Sequence, residues 1–307
     1  MAGASGTIGR ATAAALLADG HAVTCILRDS ASGRAAAESL EKAGANVFLS
    51  ELSDGLQIGD IDTVVSCIAS RSGSPKDALA VDYQANANLL GAAVAGGAQH
   101  FVLLSAICVQ KPQLAFQHAK LAFEAELIAS AIDHTIVRPT AYFKSLSGQV
   151  ARVAKGKAFL LFGNGELTRC KPISDRDLAR FVADCVSGSA SRNQVLPIGG
   201  PGPAISLREQ GELIFAKAGL EPKFRSISPA MFDAAARLLS IGAPFSGWFA
   251  EKAEYARIAK YYATQSMLVF DSQTGTYRDE LTPEFGEDTL GEHYETLLAD
   301  LDEGDRP

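Results

Sequence analysis

Short apolar, β-branched runs alternate with alanine-rich stretches of helical period along the first two hundred residues. The runs at 21–28, 46–49, 63–69, 101–105, 135–138 and 194–198 read as strands, and those at 7–18, 36–43, 78–95 and 114–131 read as helices. Such alternation predicts βαβ units, and strands that are apolar throughout predict a parallel sheet covered by helices on both faces. After residue 200 the rhythm changes to helical patterns near 206–218, 229–239 and 250–262 and a strand-like 267–270. The expected organisation is therefore one α/β domain over 1–200, with insertions around 140–175 that serve the substrate region. A smaller, mostly helical substrate-binding extension follows over 201–307, and the acidic run 300–305 reads as a frayed end.

The chemistry begins at the N-terminus, where Gly3-Ala4-Ser5-Gly6-Thr7-Ile8-Gly9 runs directly into the first helix. Glycines let a backbone turn tightly and approach a pyrophosphate, whose charge is held by N–H groups at a helix N-terminus. The bland alternative is a loop that only caps a helix. The helix and strand that follow at βαβ spacing favour a dinucleotide cradle built from Gly3, Ser5, Gly6, Thr7, Ile8 and Gly9, in a Rossmann-type, doubly wound fold. Only Met1 and Ala2 precede Gly3, so the first, central strand looks truncated. Because its loss bares apolar faces on both neighbours, the start is expected to lie further upstream.

NAD-specific folds carry an acid about twenty residues beyond the glycines, to bind the ribose 2′-hydroxyl. This chain has Arg28 there, which suits the 2′-phosphate of NADPH, although Asp29 beside it opposes that reading. Leu52 and Ser53 follow the next strand, at the expected adenine-flanking turn. Ala69, Ser70 and Arg71 follow the one after, where the ribose and nicotinamide should pass; ordinary βα loops are the alternative for both.

A net charge of −7 and a pI near 5.3 give no long-range attraction to phosphate backbones, so nucleic acid is not an expected partner. Apolar runs fall well short of the roughly 20 residues of a membrane span. Cysteines 25, 67, 108, 170 and 185 lack C-x-x-C spacing and read as reduced core residues. No resident metal is expected. The lack of a secretory or transit pattern argues for a bacterial cytoplasm, or for a mature form already processed.

Ordinary short-chain dehydrogenases use Tyr-x-x-x-Lys, in which the tyrosine donates a proton and the lysine holds the nicotinamide ribose. The corresponding segment here is Phe116-Gln117-His118-Ala119-Lys120. Phenylalanine cannot donate a proton, whereas Lys120 keeps the ribose position. A solvated surface lysine is the alternative.

Ser105-Ala-Ile-Cys-Val-Gln-Lys-Pro112 and Lys144-Ser-Leu-Ser-Gly-Gln-Val150 are long and distinctive, and together with 116–126, 138–143, 170–174, 193–202 and 261–269 they resemble the divinyl chlorophyllide 8-vinyl-reductases. These are atypical short-chain dehydrogenases related to NmrA-like and isoflavone-reductase-like proteins. The resemblance implies NADPH-dependent reduction of the 8-vinyl group of a magnesium-containing divinyl (proto)chlorophyllide to ethyl, in chlorophyll or bacteriochlorophyll synthesis and hence photosynthesis. Phe116 fits that family. The candidate proton donors are Lys120, Tyr142 and His118, or a water they order; Lys120 is expected first to position the cofactor and lend electrostatic help, and Tyr142 is a candidate donor, with core packing the alternative for Tyr142 and Phe143. His118 could ligate the substrate's magnesium, or be a surface residue. Lys144 could meet a propionate, or be an exposed lysine at a helix start. A flat macrocycle needs an apolar cleft, for which Phe159, Phe162, Met231, Phe245, Trp248 and Phe249 are candidates. Segment 228–249, broken by Gly242 and Pro244, reads as a lid or a peripheral membrane contact. The rival reading is an NmrA-like NADP(H)-binding regulator without turnover; reduction of a small conjugated phenolic is a third.

Overall fold

In the computed structural model, which describes residues 1–242 and 246–304, the alternation becomes α1 (Thr7–Ala18), β1 (Thr24–Leu27), α2 (Ala31–Lys42), β2 (Asn46–Leu49) and β3 (Thr63–Ser66). Next come a short α3 (Pro75–Asp77), a π-helical segment Ala78–Ala85, α4 (Asn86–Ala95), β4 (His100–Leu104), α5 (Ala115–Ala129) and β5 (Asp133–Pro139). The chain then forms α6 (Phe143–Leu146), α7 (Val150–Ala154), β6 (Phe159–Phe162) and β7 (Arg169–Cys170), followed by α8 (Asp175–Ser187) and β8 (Gln194–Ile198). It closes with β9 (Ile205–Ser206), α9 (Leu207–Lys217), β10 (Phe224–Ile227), α10 (Ala230–Gly242), α11 (Gly247–Thr264), β11 (Val269–Asp271), β12 (Thr276–Arg278) and α12 (Leu290–Gly304). Two compact units result: Met1–Pro139 with Asp175–Pro197, and Thr140–Ser174 with Ile198–Pro307.

The first unit holds the sheet. β3, β4, β5 and β8 lie side by side, with β3/β4 and β4/β5 parallel, while β1 and β2 form a separate parallel pair. Every residue of β4 is buried, as a strand covered on both faces must be. Phe101 on β4 meets Phe123 on α5 at 5.8 Å between ring centres, in a core shared with Leu89, Leu127 and Ile136.

The two residues ahead of Gly3 join these pieces, so the central position is not empty. Met1 donates its ammonium N–H to the Thr24 carbonyl and accepts from the Ile26 N–H; Ala2 donates to the Val65 carbonyl and accepts from the Cys67 N–H. This two-sided alternation is that of a central parallel strand, and Ala2 bridges Ile26 and Ser66. The order β2-β1-(Met1–Ala2)-β3-β4-β5 is the doubly wound arrangement the glycine loop predicts.

Beside Met1 a cavity of about 290 Å³ opens along the same line, walled by Ile26, Phe48, Ile58, Val64 and Leu89. Burial there also holds the Met1 ammonium below the usual pKa of an α-amine. Three apolar residues placed ahead of Met1 should bury on the order of 100 Å² and replace that ammonium with an amide, a gain of about 2.5 kcal/mol. The melting temperature of such a variant is expected to rise by roughly 5 °C. An unchanged value would show that the cavity does not accept a strand.

The second unit has its own core of Phe143, Val153, Phe159, Leu161, Phe215 and Tyr294. It is less helical than the residue pattern suggests: β6 pairs parallel with β10, β7 antiparallel with β9, and β11 antiparallel with β12. Phe224 meets Phe159 and Phe215 edge-on at 6.3 and 5.9 Å. Ser206 and Glu209 form a capping box that starts α9. The acidic run expected to be frayed instead continues α12 through Gly304, while Asp305 lies outside the described residues. Among the described residues no helix is long and apolar enough to cross a membrane.

Candidate active site

The glycine loop is shaped by contacts that exclude side chains. Gly3 has φ +87°, and a Cβ on it would stand 2.6 Å from the Cys67 carbonyl carbon; one on Gly9 would stand 2.2 Å from the Gly3 oxygen. Gly6 donates its N–H to the Gly3 carbonyl at 3.0 Å and is the N-cap of α1, with no side-chain cap hydrogen bond. Ser5, Gly6 and Thr7 are exposed, Ile8 is half-buried and Gly9 is buried. An exposed helix N-terminus behind a turn that only glycine permits fits a pyrophosphate. Burial pushes the neighbouring Cys67 thiol up to about 11, so it is not a nucleophile at neutral pH.

At the end of β1, Arg28 is exposed. Its acidic neighbour Asp29 pairs with Arg34, both side chains being exposed. Ser30 caps α2 by accepting from the Gly33 N–H at 3.1 Å, and a Cβ on Gly33 would lie 2.0 Å from the Arg28 carbonyl oxygen. The turn thus presents Arg28 beside a second helix N-terminus.

After β2, half-buried Leu52 packs on the core and its carbonyl accepts from the Asn88 side chain at 2.8 Å, while Ser53 is exposed. After β3, Ala69 and Arg71 are exposed and Ser70 is half-buried. Asp77 holds this loop by accepting from the Ser72 N–H at 2.7 Å and its hydroxyl at 2.8 Å. Burial works against ionising Asp77, yet these hydrogen bonds leave its carboxyl below the usual range.

Lys120 is buried on α5, with Nζ 2.9 Å from Asp82 Oδ1; the two side chains are 9% and 0% exposed. The same oxygen accepts the Ser70 N–H at 3.2 Å. Asp82 escaped the sequence reading. Its one signal there is that it carries the sole charge in residues 78–95. On the same helix Phe116 is half-buried and His118 exposed. Among the described residues no cluster of His, Cys, Asp and Glu could hold a metal ion.

Tyr142 belongs to the second unit. It is half-buried at the N-cap of α6 and bridges Ile173 in parallel. The segment is fastened by Ile173 N–H to the Ala141 carbonyl, Phe143 N–H to the Ile173 carbonyl, and the Thr140 hydroxyl to the Lys171 carbonyl. Buried Lys171 in turn pairs with Asp279 and Glu284, each at 2.8 Å. Phe143, beside Tyr142, is a core residue, 4% exposed, and so is Phe159 among the aromatics suggested for an apolar cleft, at 2%. Phe162 is half-buried against Phe232, and Met231, Trp248 and Phe249 are exposed, as is Lys144. Pro244 and Phe245 lie outside the described residues.

A family model described as NAD(P)H-binding matches residues 3–188. Divinyl chlorophyllide a 8-vinyl-reductase, a chloroplastic protein of Cucumis sativus, is 46% identical over 98% of this chain and 76% of its own length. Its counterpart in Oryza sativa subsp. indica is 44% identical over 98% and 78%. Among solved structures, an NADPH-dependent quinone oxidoreductase from Escherichia coli, complexed with NADPH, superposes with TM-score 0.70 at 21% identity, covering 96% of this chain and 98% of its own, a likeness of fold. With near-half identity along almost its whole length, this chain belongs to the divinyl chlorophyllide a 8-vinyl-reductase family of NAD(P)H-binding oxidoreductases.

Proposed function

We propose that the protein reduces the 8-vinyl group of a divinyl (proto)chlorophyllide to ethyl, with NADPH as reductant. The observation that carries this reading is the identity of 43–46% to four vinyl reductases over 98% of the chain. The nucleotide cradle described above supports it. NADPH, when bound, would supply a hydride for the outer vinyl carbon; a proton delivered to the inner carbon would complete the ethyl group, which stays on the macrocycle, with NADP⁺ as the other product. The negative charge that develops spreads into the macrocycle, so no oxyanion needs a tyrosine at position 116. The first unit's residues have positioning work: Gly3 to Gly9 seat the diphosphate, Arg28 the 2′-phosphate, Leu52 and Ser53 flank the adenine, and Ala69, Ser70, Arg71 and Lys120 border the nicotinamide ribose.

Tyr142 is the proposed proton donor, because Lys120 is committed to Asp82, 2.9 Å away, and to the ribose. Residues 1–200 form the nucleotide domain and 201–307 the substrate extension in this reading, with 140–175 serving the latter. A reducing compartment such as a bacterial cytoplasm accords with five cysteines that stand as thiols, outside any disulfide. A peripheral contact with photosynthetic membranes accords with the exposed Leu238, Ile241 and Trp248 on α10 and α11.

Anaerobic incubation of the purified protein with NADPH and divinyl chlorophyllide, followed by chromatography, should yield the monovinyl product. Tight NADP(H) binding without product would favour the non-catalytic regulator. The Arg28→Ala variant is expected to raise KM for NADPH by about tenfold to a hundredfold, the worth of a charge-assisted contact, while KM for NADH stays nearly unchanged. Equal effects on both would remove Arg28 from the 2′-phosphate site.

A further inference from the structure

We infer that Asp82 is the residue that positions Lys120, and that it makes this lysine a fixed ribose anchor. The inference rests on the nucleotide reading above. Asp82 is 1% exposed, and Lys120 Nζ lies 2.9 Å from its Oδ1, an oxygen that also accepts the Ser70 N–H at 3.2 Å. One carboxylate oxygen therefore fixes the lysine of α5 and the loop after β3 together. The other oxygen, Oδ2, is buried without a hydrogen-bond partner among the described residues, which is costly for a carboxylate, and Lys120 is the counter-charge beside it.

The backbone around Asp82 is equally determined. Its carbonyl accepts from the Asn86 amide at 3.1 Å, and the Asn86 side-chain oxygen accepts from the Ser66 hydroxyl at 2.6 Å, at the end of β3. Asp82 also sits within the π-helical segment Ala78–Ala85, whose widened turns are uncommon and recur at functional sites. A lysine needed only for solubility would not be buried against a carboxylate. One whose charge had to activate a neighbouring tyrosine would not have it matched from below. With Phe116 in the tyrosine position, the pair holds Nζ in one place and leaves proton transfer to another group.

The test uses two ligands that share the adenosine end. Binding of NADPH and of adenosine 2′,5′-bisphosphate, which lacks the nicotinamide ribose, is titrated for the native protein and for Asp82→Asn, Asp82→Glu, Lys120→Met and the Asp82→Asn/Lys120→Met pair. Asp82→Asn should weaken NADPH binding about tenfold and leave the bisphosphate unchanged. Asp82→Glu should recover part of the loss, and the double variant should bind NADPH no worse than Lys120→Met alone. Parallel losses for both ligands, or additive losses in the double variant, would reduce Asp82 to a structural role and overturn the inference. If the native protein bound neither ligand, the nucleotide reading itself would fall. Should Asp82→Asn not fold, Asp82→Glu and Lys120→Met still decide: Asp82→Glu must weaken NADPH alone, and equal binding of both ligands by it and the native protein overturns the inference.

Discussion

A Gly9→Ala protein is expected to bind NADPH at least a hundredfold more weakly than the native chain. The added carbon would stand 2.2 Å from the Gly3 oxygen, and Gly3 cannot retreat, because its own backbone lies against the Cys67 carbonyl at φ +87°. The helix cannot back away either, since Thr12, Ala13 and Leu16 bury its inner face. The loop must therefore lift, and the N–H groups aimed at the diphosphate lose their geometry. Two charge-assisted hydrogen bonds at about 1.5–3 kcal/mol each account for the expected factor. Gly6→Ala is the matched control, because a Cβ there would sit 3.4 Å from the Gly3 oxygen, close to ordinary contact. Fluorescence titration of both variants checks the idea, and native-like affinity in Gly9→Ala would refute the cradle.

The largest effect on stability is expected from Asp279→Asn/Glu284→Gln, which takes both counter-charges from the Lys171 ammonium and leaves it the Asp279 and Thr282 carbonyls. Lys171 is 3% exposed, whereas the two acid side chains are 40% and 50% exposed, so the cost arises mainly from the unpaired cation. Removing the partners of a buried charge costs about 3 kcal/mol, or roughly 10 °C in melting temperature for a unit of this size. The strand segment that carries Tyr142 hangs on the Lys171 carbonyl, so activity should fall with stability.

The pH dependence has a definite sign. Burial opposes ionisation of Asp279, but Lys171 outweighs it, and a hydrogen bond from Lys171 lowers the Glu284 carboxyl as well. Their contribution is present above the unfolded carboxylate range, near pH 4, and fades as pH falls through the depressed folded values. Burial works against the charged form of Lys171, yet the two acids raise its pKa overall; its contribution holds below its unfolded value of about 10.4 and is lost only above the folded one. Thermal melts between pH 2.5 and 8 should show the native protein losing more stability towards acid than the double variant. Parallel curves would contradict the assignment.

How much of this was legible in the residues differs by distance along the chain. The span of α1 follows from the spacing of glycines and alanines, which is local, and β2 and β8 from short apolar runs. The β6/β10 pair was not legible, because it joins residues more than sixty positions apart and β10 carries Arg225 and Ser226. Helix α8 was missed because its polar residues, Asp175, Arg176 and Asp184 among them, mask a one-sided apolar stripe. Lys120 could be placed from its motif, but its counter-ion lies 38 positions upstream, and nothing local couples the two. The pairing of Asp29 with Arg34, one helical turn into α2, was likewise not legible, because no local pattern couples the two.

The seam at Met1 and Ala2 has a consequence for the protein's life in the cell. Two backbone hydrogen bonds on each flank tie the β1–β2 ribbon, which carries Arg28, to the strands beside Lys120. A dinucleotide spanning both flanks would brace that joint, adding about 2.7 kcal/mol when its concentration is a hundred times Kd. Opening of that joint would then be rarer in the nucleotide-bound protein, and cleavage of transiently opened chains correspondingly slower.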